Sequence, residues 1–350
     1  MLPEWVTQKC PDVSAHHREA AIARQAQLTK PTGALGRLEQ LAIELAGLQA
    51  TERPRAARVP IIVFAGDHGI VAQGVSAYPQ EVTIAMMANF AAGGAAISVL
   101  ARELGSSLEV VDAGTLAGAE MAGVVTDKPR NGTRDFSVEA ALTPAELAFA
   151  FEAGQRAVAR AEPDQPDLLI FGEMGIGNTT TAAAIAASLL GINAEEIAGS
   201  GTGIDATGRA HKAHVIDAAI ARHGVAGASP ENILCAVGGL EIAAICGAII
   251  AAARRRIPVL IDGFIVSVAA LAAVRINPSC RPFLLPSHQS AEQGHRLVLR
   301  ALNVQPLISL DLRLGEGSGA AIALPLVRLA CSLHNGMATF AQANVPDRPA

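Results

Sequence analysis

Lysine is nearly missing from this chain: its 350 residues hold only Lys9, Lys30, Lys128 and Lys212. Lysine and arginine together number 27 against 32 acidic residues, a formal net charge of −5. No global positive field is available to hold nucleic acid. The one dense basic run, Arg254-Arg255-Arg256, is expected to end a helix, where cations complement the dipole. Aromatic residues make up 3% and charged residues 17%, against 51% hydrophobic. That balance excludes disorder and leaves alanine and branched aliphatics to build a large core. The five cysteines are scattered, odd in number and form no CxxC pair, so neither a zinc pattern nor a disulfide framework is present. Buried, reduced thiols in the cytoplasm are expected. The first ten residues lack the apolar run of a signal peptide. One apolar stretch, Leu234 to Ala253, approaches the length of a membrane span. It reads better as a strand (Asn232 to Val237), a Gly238-Gly239 turn and a buried helix (Leu240 to Ala253), so no membrane insertion is expected.

What is present is a repeated pattern. Helical periodicity covers Ala15 to Gln27 and Leu35 to Leu48. Short β-branched runs then follow at Val59–Ala65, Leu108–Val111, Leu168–Phe171, Ile233–Val237 and Val259–Ile261. Each ends in glycine or aspartate and leads to an alanine-rich helical segment. Continuous apolar strands alternating with helices predict an α/β fold with a parallel sheet covered on both faces. Ligands of such sheets sit beyond the carboxyl ends of the strands. Residues 115–145 are more polar and read as an excursion from the core.

Four segments could carry chemistry. In the first, a strand runs into Gly172-Glu173-Met174-Gly175-Ile176-Gly177-Asn178-Thr179, which nearly matches a P-loop. Asn178 stands where that loop has its lysine, which argues against triphosphate chemistry and leaves a monophosphate at the helix N-terminus. The second, Gly199-Ser200-Gly201-Thr202-Gly203-Ile204-Asp205 with Lys212 close behind, suits a phosphate cradle. The third places Glu316 between Gly315 and Gly317, just before an apolar helix, where burial would raise its pKa toward that of a useful general base. The fourth joins Gly66-Asp67-His68-Gly69 to Ser76, Tyr78 and Gln80, polar groups able to hydrogen-bond a heterocycle. No spaced third ligand accompanies Asp67-His68 or the His211/His214 pair, so no metal is expected. Ser287-His288-Gln289-Ser290, followed by Glu292 and His295, reads as a helix start with an N-cap serine.

Taken in order, LTKPTGALGRLE (28–39), FAGDHGIVAQGVSAYPQEVT (64–83), NFAAGGAAISVLAR (89–102), FGEMGIGNTT (171–180), GSGTGID (199–205), a strand at IDGFIVSVAAL (261–271), SHQSAEQGH (287–295) and LDLRLGEGSGAA (310–321) span nearly the whole chain. Together they resemble the nicotinate-nucleotide:dimethylbenzimidazole phosphoribosyltransferases. Thr32 and Ala34 depart from the family's usual Pro and Ser. The resemblance implies a Rossmann-like parallel sheet flanked by helices in a 56–315 core. It also implies a smaller helical lobe from residues 1–55 and 316–350, and a homodimer. It implies transfer of 5-phosphoribose from nicotinate mononucleotide to 5,6-dimethylbenzimidazole, with no cofactor. By motif it makes Glu316 the general base and Glu173 a supporting carboxylate. Gly175, Gly177, Asn178, Gly201, Thr202, Gly203, Asp205 and Lys212 hold the phosphate; Ser76, Tyr78, Gln80 and Leu314 line the base pocket. On the motifs alone, a P-loop-like kinase or a non-catalytic nucleotide carrier remains an alternative.

Overall fold

Six strands, β1 (Ile61–Gly66), β2 (Leu108–Gly114), β3 (Val125–Thr126), β4 (Leu169–Met174), β5 (Val259–Ile261) and β6 (Leu284–Pro286), pair in parallel in the order β3-β2-β1-β4-β5-β6. In this computed structural model, which describes residues 1–201 and 203–346, the chain begins with two helices, α1 (Ala15–Gln27) and α2 (Arg37–Gln49). It enters the sheet at β1 (Ile61–Gly66), then forms α3 (Glu81–Ala92), α4 (Ala96–Leu104), β2 (Leu108–Gly114) and β3 (Val125–Thr126). Next come α5 (Pro144–Ala161), β4 (Leu169–Met174), α6 (Asn178–Leu190), α7 (Ala194–Ile197), α8 (Ala206–His223), α9 (Pro230–Val237) and α10 (Leu240–Arg254). The sheet is completed by β5 (Val259–Ile261), α11 (Phe264–Ile276) and β6 (Leu284–Pro286). A small parallel pair, β7 (His288–Gln289) and β8 (Ile308–Ser309), brackets α12 (His295–Ala301). The chain closes with α13 (Ser318–Gly336) and α14 (Phe340–Ala343).

Strand order reverses direction between β1 and β4, the switch point at which doubly wound sheets open a crevice. The inner strands β1, β4 and β5 are short and almost wholly buried, as parallel sheets require. Helices cover both faces. Val63 pairs with Gly172, so these two face the same side, and a Cβ on Gly172 would meet the backbone of Glu316 just before α13. Gly66, three residues on from Val63, faces the other side, where its Cβ would meet Glu241 of α10. α10 is buried from Leu240 to Ala253. It crosses α5 so closely that a Cβ on Gly154 would lie 1.9 Å from the Ala244 carbonyl oxygen. Scarce aromatics and abundant Ala and Gly thus let helix backbones approach each other.

Three local expectations fail. Residues 232–237 form part of α9, not a strand. Ser229 caps that helix through the Asn232 N–H, with Pro230 and Glu231 in its first turn, and these start signals outweigh a short apolar run that periodicity alone cannot assign. The apolar stretch 234–253 is therefore helix, turn, helix inside the core. The segment 261–271 is strand only at Ile261 and becomes α11 from Phe264. Ser287 and Ser290 do not cap a helix, because His288 and Gln289 form β7 and α12 begins at His295 after Gly294. A different stretch, 81–104, has the length and hydropathy to cross a membrane. It is broken into α3 and α4 where Gly93 adopts φ +86. All five cysteines are free, and burial pushes the Cys280 and Cys331 thiols up to about 12.

Candidate active site

A cavity of about 700 Å³ opens beyond the carboxyl ends of β4 and β5. Glu173, Asp262 and Glu316 line it together, with Gly175, Asn178, Thr179, Gly201, Tyr78 and Leu314. Three buried acids gathered in one cavity are costly unless each is held and partly neutralised.

Glu316 is held by its backbone. It adopts φ +64 between Gly315 at +90 and Gly317 at +86, a left-handed run that only the glycines take without strain. Gly172 makes the run possible, since a Cβ there would lie 2.1 Å from the Glu316 carbonyl oxygen. Asp262 secures the next turn: its carboxylate accepts hydrogen bonds from Gly317 N at 3.2 Å and Ala320 N at 2.9 Å. The Glu316 carboxylate reaches the start of α4, where Oε2 accepts from Ile97 N at 3.2 Å. Ala95 leaves that helix without a side-chain cap, and the Glu316 carboxylate serves it instead. Burial raises the Glu316 pKa above the ordinary carboxylate value, Ile97 draws it down, and Asp262 pushes it up; the net shift is upward.

Glu173 lies inside β4 and is also buried. Asn178 Nδ2 donates a short hydrogen bond to it. Burial, with Asp262, Glu241 and Glu316 nearby, pushes its pKa from 4.5 up to about 8. Near neutral pH it therefore carries its proton until a cation approaches. This carries a stability consequence. Between pH 4.5 and about 8 the unfolded chain has released this proton while the folded chain keeps it, so stability falls as pH rises through that window. Glu173→Gln removes the penalty, and its thermal midpoint is expected to gain on the wild type progressively from pH 5 to pH 8. A difference that stays flat across those pH values would sink this account.

The two glycine-rich segments divide their expected residues. β4 runs through Met174, which leaves a turn of only three residues, Gly175 to Gly177, before α6. That turn is too short to wrap polyphosphate, so the kinase reading falls with it. Gly175 packs against the Gly66 carbonyl, where a Cβ would lie at 2.2 Å, and Gly177 begins α6 at φ +94. Gly177 does not line the cavity. In the second segment Gly201 lines the cavity, but Gly203 and Asp205 are exposed and do not. Asp205 caps α8, its Oδ1 accepting from Gly208 N at 2.8 Å. Thr202 lies outside the described residues. Lys212 is 1% exposed and donates to Thr179 Oγ1 at 2.8 Å, directly behind the cavity wall. Burial lowers it to about 8, against the pull of Glu292.

The expected base-pocket residues also separate. Tyr78 and Leu314 are exposed side chains at the cavity lining. Ser76 and Gln80 do not line it. Ser76 Oγ donates to the Tyr78 carbonyl at 3.1 Å, and Gln80 Nε2 donates to the His68 carbonyl at 2.8 Å, so both shape the loop that carries Tyr78. His68 itself lies behind the Gly175 turn, buried between Glu241 Oε1 and Thr181 Oγ1, each at 2.8 Å. Among the described residues no group of three or more His, Cys, Asp or Glu side chains is arranged to hold a metal ion.

Asp262 and His288 were not among the expected site residues, yet both line the cavity. Their side chains approach to 3.9 Å. Burial raises the Asp262 carboxyl and lowers the His288 imidazole. Asp262 did have a signal, since it is the first residue beyond an apolar strand of a parallel sheet. His288 lies in the 287–295 motif, but β7 is too short for its strand pattern to show, and the segment read as a helix start.

A doubly wound sheet with buried acids at its switch point defines an α/β enzyme acting on a small molecule. Residues 10–345 match the family described as Phosphoribosyltransferase. The chain is 89% identical, over the full length of both proteins, to the nicotinate-nucleotide–dimethylbenzimidazole phosphoribosyltransferase of Bradyrhizobium diazoefficiens. It is 56% identical over the full length of both to the protein of that name from Pseudomonas aeruginosa strain PAO1. The crystal structure of CobT from Thermus thermophilus superposes with a TM-score of 0.91 at 42% identity, covering 95% of this chain and 100% of that one. The chain belongs to the nicotinate-nucleotide–dimethylbenzimidazole phosphoribosyltransferase family.

Proposed function

We propose that the cavity moves 5-phosphoribose from nicotinate mononucleotide to 5,6-dimethylbenzimidazole, with Glu316 as the general base. The products are α-ribazole phosphate, used to assemble the nucleotide loop of cobalamin, and nicotinate. The observation that carries this reading is the Glu316 carboxyl, held in a left-handed turn at the cavity wall with its pKa raised. One imidazole nitrogen of the acceptor attacks C1′ of the ribose. The bond from C1′ to the pyridinium nitrogen breaks, and its electron pair stays on the ring, which leaves without needing an acid. The proton on the acceptor's other nitrogen passes to Glu316. Positive charge on the donor ring and on the developing oxocarbenium favours the ionised form of Glu173, which then stabilises it. Lys212, Thr179 and Gly201 hold the phosphate, which orients the reacting carbon from a distance.

The division into a 56–315 core and a lobe from both termini is part of this proposal. It is supported by α2, which packs on both α1 and α13, and it puts Glu316 where lobe meets core. A homodimer is proposed on the exposed Ala85, Ala88, Ala91 and Ala92 of α3 and Val99 of α4, an apolar face suited to a second copy. Free, mostly buried thiols fit the cytoplasm. The test mixes the protein with nicotinate mononucleotide and 5,6-dimethylbenzimidazole and follows both products by mass spectrometry. Nicotinate released in step with the base–ribose phosphate adduct is expected; nicotinate without adduct would count against this acceptor.

A further inference from the structure

A second cleft, of about 600 Å³, lies at the opposite end of the strands from the catalytic cavity. It is built from chain that leads into the strands: residues 49–58 before β1, 162–167 before β4 and 255–257 before β5. Five arginines line it, Arg53, Arg55, Arg58, Arg255 and Arg256, against two acids, Glu162 and Asp167. Five positive and two negative charges leave +3 in one concavity of a chain whose net charge is −5.

Three of these arginines are already used. Arg58 pairs with Asp167 at 3.4 Å, Arg255 pairs with Glu162, and Arg256 Nη2 donates to the Asp12 carbonyl at 2.9 Å. The guanidinium groups of Arg53 and Arg55 make no hydrogen bond or ion pair with any described residue. Yet the loop that carries them is pinned. Gln49 bonds both the N–H and the carbonyl of Arg55, and Asp167 Oδ2 accepts from Ala57 N and Arg58 N. Arg328 bonds the carbonyls of Ala56 and Ala57. A helix C-terminus explains arginines at 254–256, but 53, 55 and 58 lie beyond the last turn of α2. Arg256 also sits at φ +61 just after α10, where glycine would be unstrained.

Guanidinium forks pair with phosphate oxygens in two parallel hydrogen bonds. The cleft has the volume of a small-molecule site. Its two acids and the chain's net negative charge disfavour a long polyanion such as nucleic acid. We propose that this cleft binds a small, multiply charged phosphate compound of the phosphoanhydride or bisphosphate class, with Arg53 and Arg55 as its free ligands. The site is separate from the catalytic cavity and independent of the transfer reaction.

The test titrates inorganic pyrophosphate, and separately inorganic phosphate, into the full-length protein by calorimetry with nicotinate mononucleotide present to fill the catalytic cavity. It is repeated with the double variant Arg53→Ser/Arg55→Ser. Expected are one pyrophosphate per chain, weaker binding of phosphate, and a loss of about tenfold or more in the variant with its turnover unchanged. No pyrophosphate binding, or binding equal in both proteins, would overturn the proposal. Equal affinity for phosphate and pyrophosphate would overturn the assignment to a multiply charged ligand.

Discussion

Glu316→Gln is expected to lower kcat by about 10²- to 10⁴-fold, the usual contribution of a positioned general base. That corresponds to roughly 3 to 5 kcal/mol of barrier. Glutamine has the same size and can still accept the Ile97 N–H, so the turn and the start of α4 are preserved. It cannot take the proton from the acceptor's nitrogen. In the proposed reaction the donor phosphate is held elsewhere, so the donor KM should change little. The wild type should also lose rate as pH falls through the raised Glu316 pKa, because the base must be ionised to act. Steady-state kinetics across pH, with circular dichroism as a control for folding, checks both points. A variant within about threefold of wild-type kcat, far short of the loss expected of a general base, would remove Glu316 from the reaction.

The second large effect is expected from a residue with no side chain. In Gly172→Ala the added methyl would lie 2.1 Å from the Glu316 carbonyl oxygen, 2.3 Å from its carbon and 2.7 Å from Gly317 N. All three are backbone atoms of the turn that presents Glu316, so no side chain can swing away. Either β4 or the turn must shift, and overpacking of this kind costs about 1–3 kcal/mol. A displacement of ~1 Å costs about 10² in rate. We expect a folded protein with a lowered thermal midpoint and kcat reduced about a hundredfold. Wild-type turnover in a folded Gly172→Ala protein would show that the close contact between β4 and the turn does not place Glu316.

Much of the fold is legible in the residues. Val59 to Ala65 is β-branched, apolar and ends at Gly66, and β1 begins within two residues of its start. Val259–Ile261 matches β5, and Ala15–Gln27 matches α1, whose cap Ser14 accepts from His17 N. Where the reading failed, local apolarity was asked to choose between helix and strand. Ile233 to Val237 is as apolar as a strand, but Ser229-Pro230-Glu231 had already begun a helix. The site shows the same division. Glu316 could be chosen because glycines flank it in sequence, whereas Glu173 followed only from the family resemblance. Ser76 and Gln80 could not be separated from Tyr78, because adjacency in sequence does not say which side chain of a loop faces a cavity.

Some properties therefore follow from the sequence by itself: an alternating α/β chain, an alanine-built core, glycine and aspartate at strand ends, and motifs that mark the family. These depend on neighbouring residues, periodicity and composition, which are written along the chain. The tertiary structure alone decided that Asp262, just past β5, accepts the N–H groups behind Glu316, and that α4 donates to Glu316 from 219 residues away. It alone decided that Lys212 backs Thr179 while Asp205 only caps a helix. It also gathered arginines from two distant stretches into one cleft. Such contacts depend on which strands lie side by side and which glycines let backbones meet. Proton affinity depends on them too: Glu173 reaches about 8 because the fold buries it among Asp262, Glu241 and Glu316, which no local pattern encodes.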